Sequence, residues 1–249
     1  MTEVECALHF GPLPRQRCIV VGSEQVKRDD VGIDFVGLVH GGFWRAGKSP
    51  DSMLPMAYYV AALGVPVVCL GYRTVEDGAG LREMLCDLRT GIAAAQGACA
   101  VSDPARLLLV GHSAGGHLVL HLAETLSFAT SVALAPITLF ECEEDRELGQ
   151  DAASALYANS VVGQRKDLSL EDVVGVRPSA RTGGTVIVHG MDDQTVPVEM
   201  SQRYALRGRN LMELHLLPGA RHMDLVKPDK AAGQYVLGLL ADRIVRRPW

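Results

Sequence analysis

Gly111-His112-Ser113-Ala114-Gly115 has the residue types and spacing that make a serine nucleophilic. Glycines two positions either side of Ser113 fit the G-x-S-x-G pattern of a sharp turn that lifts a serine hydroxyl out of a sheet. Such a turn crowds the backbone, and positions without a Cβ relieve the crowding. A serine hydroxyl attacks a carbonyl only when a base takes its proton and a carboxylate orients that base. Two downstream segments offer these partners. His189-Gly-Met-Asp-Asp-Gln-Thr-Val-Pro197 carries two aspartates, of which Asp193 leads and Asp192 is the alternative. Pro218-Gly-Ala-Arg-His222 supplies the base. Taken alone, an Asp-Asp pair starts a turn or caps a helix, here one beginning near Val198. Its place between an apolar run and Val-Pro favours chemistry. Acyl transfer also needs N–H donors aimed at the developing oxyanion. His40-Gly-Gly-Phe-Trp44 suits that task, with Gly42 and Phe43 as donors and Ala114 as a third.

The remaining candidates are weaker signals. Phe43 and Trp44 are expected to wall a pocket beside the donors, although aromatic residues serve equally as core. His112 adjoins the serine and is a second pocket candidate, though the turn is expected to aim it away. His189 is expected to shape the acid loop. His117 and His121 lie one helical turn apart, but no third ligand follows at suitable spacing, so they read as ordinary helix positions and no metal is expected. The six cysteines show no C-x-x-C spacing and read as reduced core residues. No P-loop lysine or G-x-G-x-x-G pattern accompanies the glycines, and no other cofactor is implied.

These residues need elements to place them. Strand-like runs occur at Cys18–Val21, Val36–Val39, Val65–Leu70, Leu107–Val110, Ser131–Ala135, Thr185–Val188 and Glu213–Leu217. Helix-like spacing falls at Ser52–Leu63, Gly80–Gln96, Gly116–Glu124 and Asp229–Val245. The alternation predicts a mostly parallel central sheet flanked by helices, in one α/β domain over residues 1–249. Ile137 to Thr182 breaks the rhythm. It is long and polar, with an acidic run at Glu141–Asp145, and is read either as a small irregular cap over the site or as a solvated excursion. A net charge of −5 without a basic block argues against nucleic acid. The apolar stretch Tyr58–Leu70 is broken by Gly64 and Pro66 and too short to span a bilayer. Met1–Cys6 lacks the pattern of a secretory signal, so a cytoplasmic location is expected.

The order His-Gly-Gly (40–42), Gly-His-Ser-Ala-Gly (111–115), His-Gly-Met-Asp-Asp-x-x-Val-Pro (189–197) and His222 resembles the α/β-hydrolase superfamily over nearly the whole chain. The resemblance implies that fold, a metal-independent triad of Ser113, Asp193 and His222, and a small ester or amide as substrate. His40–Trp44 with Gly111–Leu118 further resembles kynurenine formamidases and related small esterases. Lipase-type esterases usually carry a third glycine where this chain has Phe43, although Phe43 still has an N–H to offer. The rival readings on the same fold are a general carboxylesterase, a peptidase and an acyltransferase. The absence of a preceding propeller weighs against the peptidase. From another class, the rival is a non-catalytic binding protein.

Overall fold

A computed structural model describes residues 4–22, 33–99, 106–126, 130–141, 143–161, 169–178, 184–208 and 211–245. Cys142 and parts of the 137–182 segment (162–168 and 179–182) lie outside them. The apolar runs form strands β1 (Val4–His9), β2 (Arg17–Val21), β3 (Phe35–Val39), β4 (Val67–Leu70), β5 (Leu107–His112), β6 (Thr130–Leu134), β7 (Thr185–Gly190) and β8 (Met212–Leu217). They assemble in the order β1-β2-β4-β3-β5-β6-β7-β8. From β4 to β8 the neighbours run parallel, whereas β1 pairs antiparallel with β2 and β2 with β4. Pro66 fits just ahead of β4, where it supplies only a carbonyl, which accepts from the Val36 N–H.

Side chains alternate across each strand, so the sheet buries two cores. Leu107 and Leu109 face a core shared with helices α2 (Leu81–Ala98), α3 (Ala114–Ala123) and α4 (Glu143–Ser160). Leu108 and Val110 face the opposite core, shared with α1 (Leu54–Ala61) and α7 (Ala231–Val245). Two further helices, α5 (Leu170–Val174) and α6 (Val198–Gly208), complete the described α-helices. β1 was not foreseen: Val4-Glu-Cys-Ala-Leu-His9 is a short run interrupted by Glu5 and ended by His9, and at the sheet's edge Cys6, Ala7 and His9 are exposed. The cysteine expectation needs correction. Cys18 and Cys69 are buried, but Cys6 and Cys86 are exposed. No helix among the described residues is long and apolar enough to cross a membrane.

The 137–182 segment is not a solvated excursion where it is described. Ile137, Phe140, Ala152, Ala153, Leu156 and Val174 all belong to the core on the α2–α3 face. Asp145 of the acidic run is buried and accepts both oxygens' worth of bonding from Arg203 Nη2, at 2.9 and 2.7 Å.

Candidate active site

In this sheet the ends of β3, β5, β7 and β8 lie along one edge, and each carries one of the residues singled out by sequence. β5 runs into a turn in which Ser113 takes φ 56° and ψ −120°, a region that costs about 1–3 kcal/mol for a residue with a side chain. The surrounding structure fixes it there: the Ser113 N–H donates to the Leu134 carbonyl (2.8 Å) and the Ser113 carbonyl accepts from the His117 N–H (3.1 Å). A Cβ on Gly115 would stand 2.3 Å from the Val39 carbonyl oxygen, and one on Gly111 would stand 2.3 Å from that of Gly115. Ala114 is buried and opens α3, so its N–H is among the donors that a helix start leaves without an intrahelical partner.

Beyond β7, Asp193 uses its two oxygens for two tasks. Oδ1 accepts from the N–H groups of Thr195 (2.8 Å) and Val196 (3.0 Å), which fixes the loop. Oδ2 accepts from His222 Nδ1–H at 2.7 Å. The Asp193 side chain is fully shielded from solvent, whereas Asp192 is exposed. Burial raises the Asp193 pKa, but the bonds from His189 and His222 outweigh it and hold the carboxyl well below the usual carboxylate range. His189 sits at the end of β7 with its Nε2 near the Val196 carbonyl (3.0 Å) and Asp193 Oδ2 (3.3 Å). Both neighbours only accept, so the proton is on Nε2, and Nδ1 accepts from the Ser201 hydroxyl (2.7 Å). With Nδ1–H of His222 committed to Asp193, its Nε2 is left as the basic lone pair.

Ser113 and His222 are walls of one cavity of about 290 Å³, together with Gly41, Gly42 and Phe43. Phe43 (φ 53°) and Trp44 (φ 57°) are both left-handed, and the Arg45 N–H closes their turn on the Gly42 carbonyl at 2.9 Å. This is a mirror-image turn of the kind glycines usually supply. The N–H groups of Gly42 and Phe43 enter no backbone hydrogen bond among the described residues. The turn corrects one expectation. Trp44 is not a pocket wall: it is 1% exposed and packs edge-on to His117 in the core, ring centroids 5.0 Å apart. A left-handed residue sends its side chain the opposite way from an extended one, and sequence alone does not reveal that. His112 lines the cavity and its Nε2–H donates to the His222 carbonyl (3.0 Å), with the two rings 4.5 Å apart. Burial first, then the neighbouring His222, lowers its pKa to about 3, so it is a neutral tether for His222.

Further contributors were not assigned to the site from sequence. Tyr72 stacks on His40 and its hydroxyl donates to the His40 carbonyl (2.9 Å), while His40 Nδ1–H donates to that of Gly41 (2.8 Å). Together they brace the glycine turn. His117 and His121 both direct Nε2–H to the Val174 carbonyl (2.7 and 3.2 Å) and so tie α3 to α5. Gly149 lies flat on the Phe43 ring, where a Cβ would come within 2.3 Å, and Arg45 Nη2 donates to the Gln150 carbonyl (2.7 Å). Part of the 137–182 segment thus packs on a wall residue of the cavity, although none of its described residues lines the cavity itself.

Similarity to known proteins agrees with this arrangement. Esterase B from Lactobacillus rhamnosis (HN001) superposes with a TM-score of 0.75 over 97% of this chain and 85% of its own, at 18% identity. A thermophilic esterase from the Planctomycetes species Thermogutta terrifontis, Est2, superposes with a TM-score of 0.68 over 95% and 89%, at 21% identity. The butyrate-bound form of Est2 gives 0.63 over 90% and 86%, also at 21%. These likenesses are of fold. No curated protein sequence matches the chain. The pattern of the prolyl oligopeptidase family, peptidase S9, matches residues 85–236. That match takes in the serine turn, the aspartate loop and His222, and covers more than half of the chain, which therefore belongs to the prolyl oligopeptidase family of α/β-hydrolases and is a serine hydrolase of esters or amides.

Proposed function

We propose that the chain is a carboxylesterase for small acyl groups, with Ser113 as nucleophile, His222 as base and Asp193 as the orienting acid. The observation that carries the proposal is the 2.7 Å bond from His222 Nδ1 to Asp193, with His222 and Ser113 facing the same cavity. In this mechanism His222 Nε2 takes the Ser113 hydroxyl proton as Oγ bonds to the acyl carbon. The N–H groups of Gly42, Phe43 and Ala114 receive the oxyanion. The tetrahedral centre collapses, His222 gives the proton to the leaving alcohol, and an acyl-Ser113 ester remains. Water then attacks that ester with His222 again as base, and acid and free serine result. A cavity of about 290 Å³ is at the small end for ligand sites, which supports a short acyl group. The solved esterases similar in fold, one of them with butyrate bound, point the same way.

A second reading, an aryl formamide as substrate, is supported by Phe43 in the cavity wall: a formyl group needs almost no acyl space, and an aromatic leaving group gains from a neighbouring ring. Trp44 lends it nothing. A fluorophosphonate probe tests the nucleophile. It is expected to label Ser113, and Ser113→Ala is expected to abolish labelling and lower kcat about a thousandfold or more. Undiminished turnover by Ser113→Ala overturns the proposal. Comparing kcat/KM for a butyrate ester, a long-chain ester and an aryl formamide decides between the two readings.

A further inference from the structure

Lys48 is the one formally charged side chain in the cavity wall apart from any charge His222 acquires; no carboxylate lines it. Its stem crosses the oxyanion turn: a Cβ on Gly42 would meet Lys48 Cγ at 2.8 Å and Cβ at 3.1 Å. The other cations nearby are spoken for. Arg15 pairs with Asp77 (3.1 Å), Arg17 with Asp51, and Arg45 with Glu76 (3.5 Å). Lys48 makes no ion pair among the described residues, although the chain carries a net charge of −5. Asp193 is close to the reacting centre but sits behind His222 with both oxygens engaged, so it does not neutralise the cavity mouth. Lys48 is exposed and has no ion pair among the described residues, and a lysine in the wall of a small, otherwise uncharged cavity favours ligands that bring a negative charge.

We propose that the substrate carries a carboxylate and that Lys48 binds it, as a specificity residue for the hydrolysis proposed above. The carboxylate belongs either to the acyl part, as in a half-ester of a short dicarboxylic acid, or to the leaving group, as in an acylated hydroxybenzoate. The inference rests on the serine-hydrolase reading, and the experiment separates the two. The p-nitrophenyl ester of hemiglutarate is compared with that of butyrate, and 4-acetoxybenzoate with the methyl ester of the same acid, on wild type, Lys48→Met and Lys48→Arg. The wild type is expected to prefer the anionic member of at least one pair. Lys48→Met should lower kcat/KM for that member about five- to tenfold more than for its neutral partner, chiefly through KM. Lys48→Arg should restore most of the loss, and added salt should erode the wild-type preference. Equal effects on anionic and neutral esters, or none, overturn the inference while neutral-ester turnover keeps the hydrolase reading. A wild type that cleaves none of the four esters overturns both.

Discussion

Asp193 shows how one side chain resolves two sequence readings at once. An aspartate after a strand is usually a turn former, and Asp193 is one: Oδ1 holds the Thr195 and Val196 N–H groups. That leaves Oδ2 for His222. Asp192, exposed and one residue earlier, faces neither group. Asp193→Asn is therefore expected to cost about 10³–10⁴-fold in kcat, because an amide at that position no longer demands Nδ1–H of His222 and the wrong tautomer presents no base to Ser113. Asp192→Asn should stay within about threefold, since exposed substitutions of this kind seldom exceed about 0.5 kcal/mol. Steady-state kinetics on both variants, with folding checked by circular dichroism, is the measurement. A larger loss in Asp192→Asn would show that the acid is misplaced by one residue. Trp44 makes the converse point at the same scale: its type and position suited a pocket, and two positive φ angles put it in the core.

The strand–turn–helix of β5, Ser113 and α3 is the element on which the site depends, and its glycines are required by contact with the neighbouring element. Gly115 lies against the end of β3, where a Cβ would meet carbonyl oxygens of Val39 and His40 at 2.3 and 2.5 Å. Those are backbone atoms, so relief means moving the glycine turn after β3 or the serine. Gly115→Ala is expected to lower stability by about 2–4 kcal/mol, read as a fall in the urea midpoint. Gly97→Ala, late in α2 with open space around it, should be neutral or stabilising by up to about 1 kcal/mol. If Gly115→Ala unfolds no more easily than Gly97→Ala, the close packing of β3 on the turn is wrong. At this scale the sequence was legible wherever local pattern and tertiary role coincide. Buried parallel strands read as apolar runs, and six of these were recognisable together with antiparallel β2, as were the helices at Leu81–Ala98 and Ala231–Val245. β1 was not, because its run is short and interrupted by Glu5. α4 was not, because Gly149, Gln150 and Asp151 interrupt it with positive φ and its polar face is satisfied by distant arginines. The residues of the proposed triad stood in recognisable motifs. Lys48, Tyr72 and the role of His112 did not, because their partners are fixed by the fold rather than by neighbours in the chain.

Across the whole molecule, buried histidines give the fold a pH limit that is separate from catalysis. His40, His112, His117 and His121 lie in or beside the α3 core, and burial is the main cause that lowers each pKa: to about 4 for His40 and His121, to about 3 for His112, and well below the ordinary 6.5 for His117, where His121 adds to the effect. Each donates one ring N–H to a carbonyl and has no carboxylate bonded to it that would favour a second proton. In the unfolded chain the same imidazoles titrate near their ordinary value. Above pH 6.5 both states hold them neutral and their contribution to stability is complete. As pH falls below 6.5 the unfolded state takes up protons that the folded state refuses, so stability declines, at about 1.4 kcal/mol per pH unit for each histidine, until the folded values near 4 and 3 are reached. Asp193 acts in the same direction at lower pH: its depressed carboxyl supports the fold above about pH 4 and ceases to as it protonates. By pH 5 the loss is about 2 kcal/mol per histidine, comparable in sum with the whole stability of an ordinary domain. The urea midpoint should therefore fall steeply between pH 6.5 and 5 and be flat from 7 to 8. Calorimetric unfolding in buffers of different ionisation enthalpy should show uptake of about four protons near pH 5 and almost none at pH 7.5. A midpoint indifferent to pH over that interval would mean that these histidines are hydrated or protonated in the folded protein, and that the tight packing of α3 against the glycine turn and α5 is wrong.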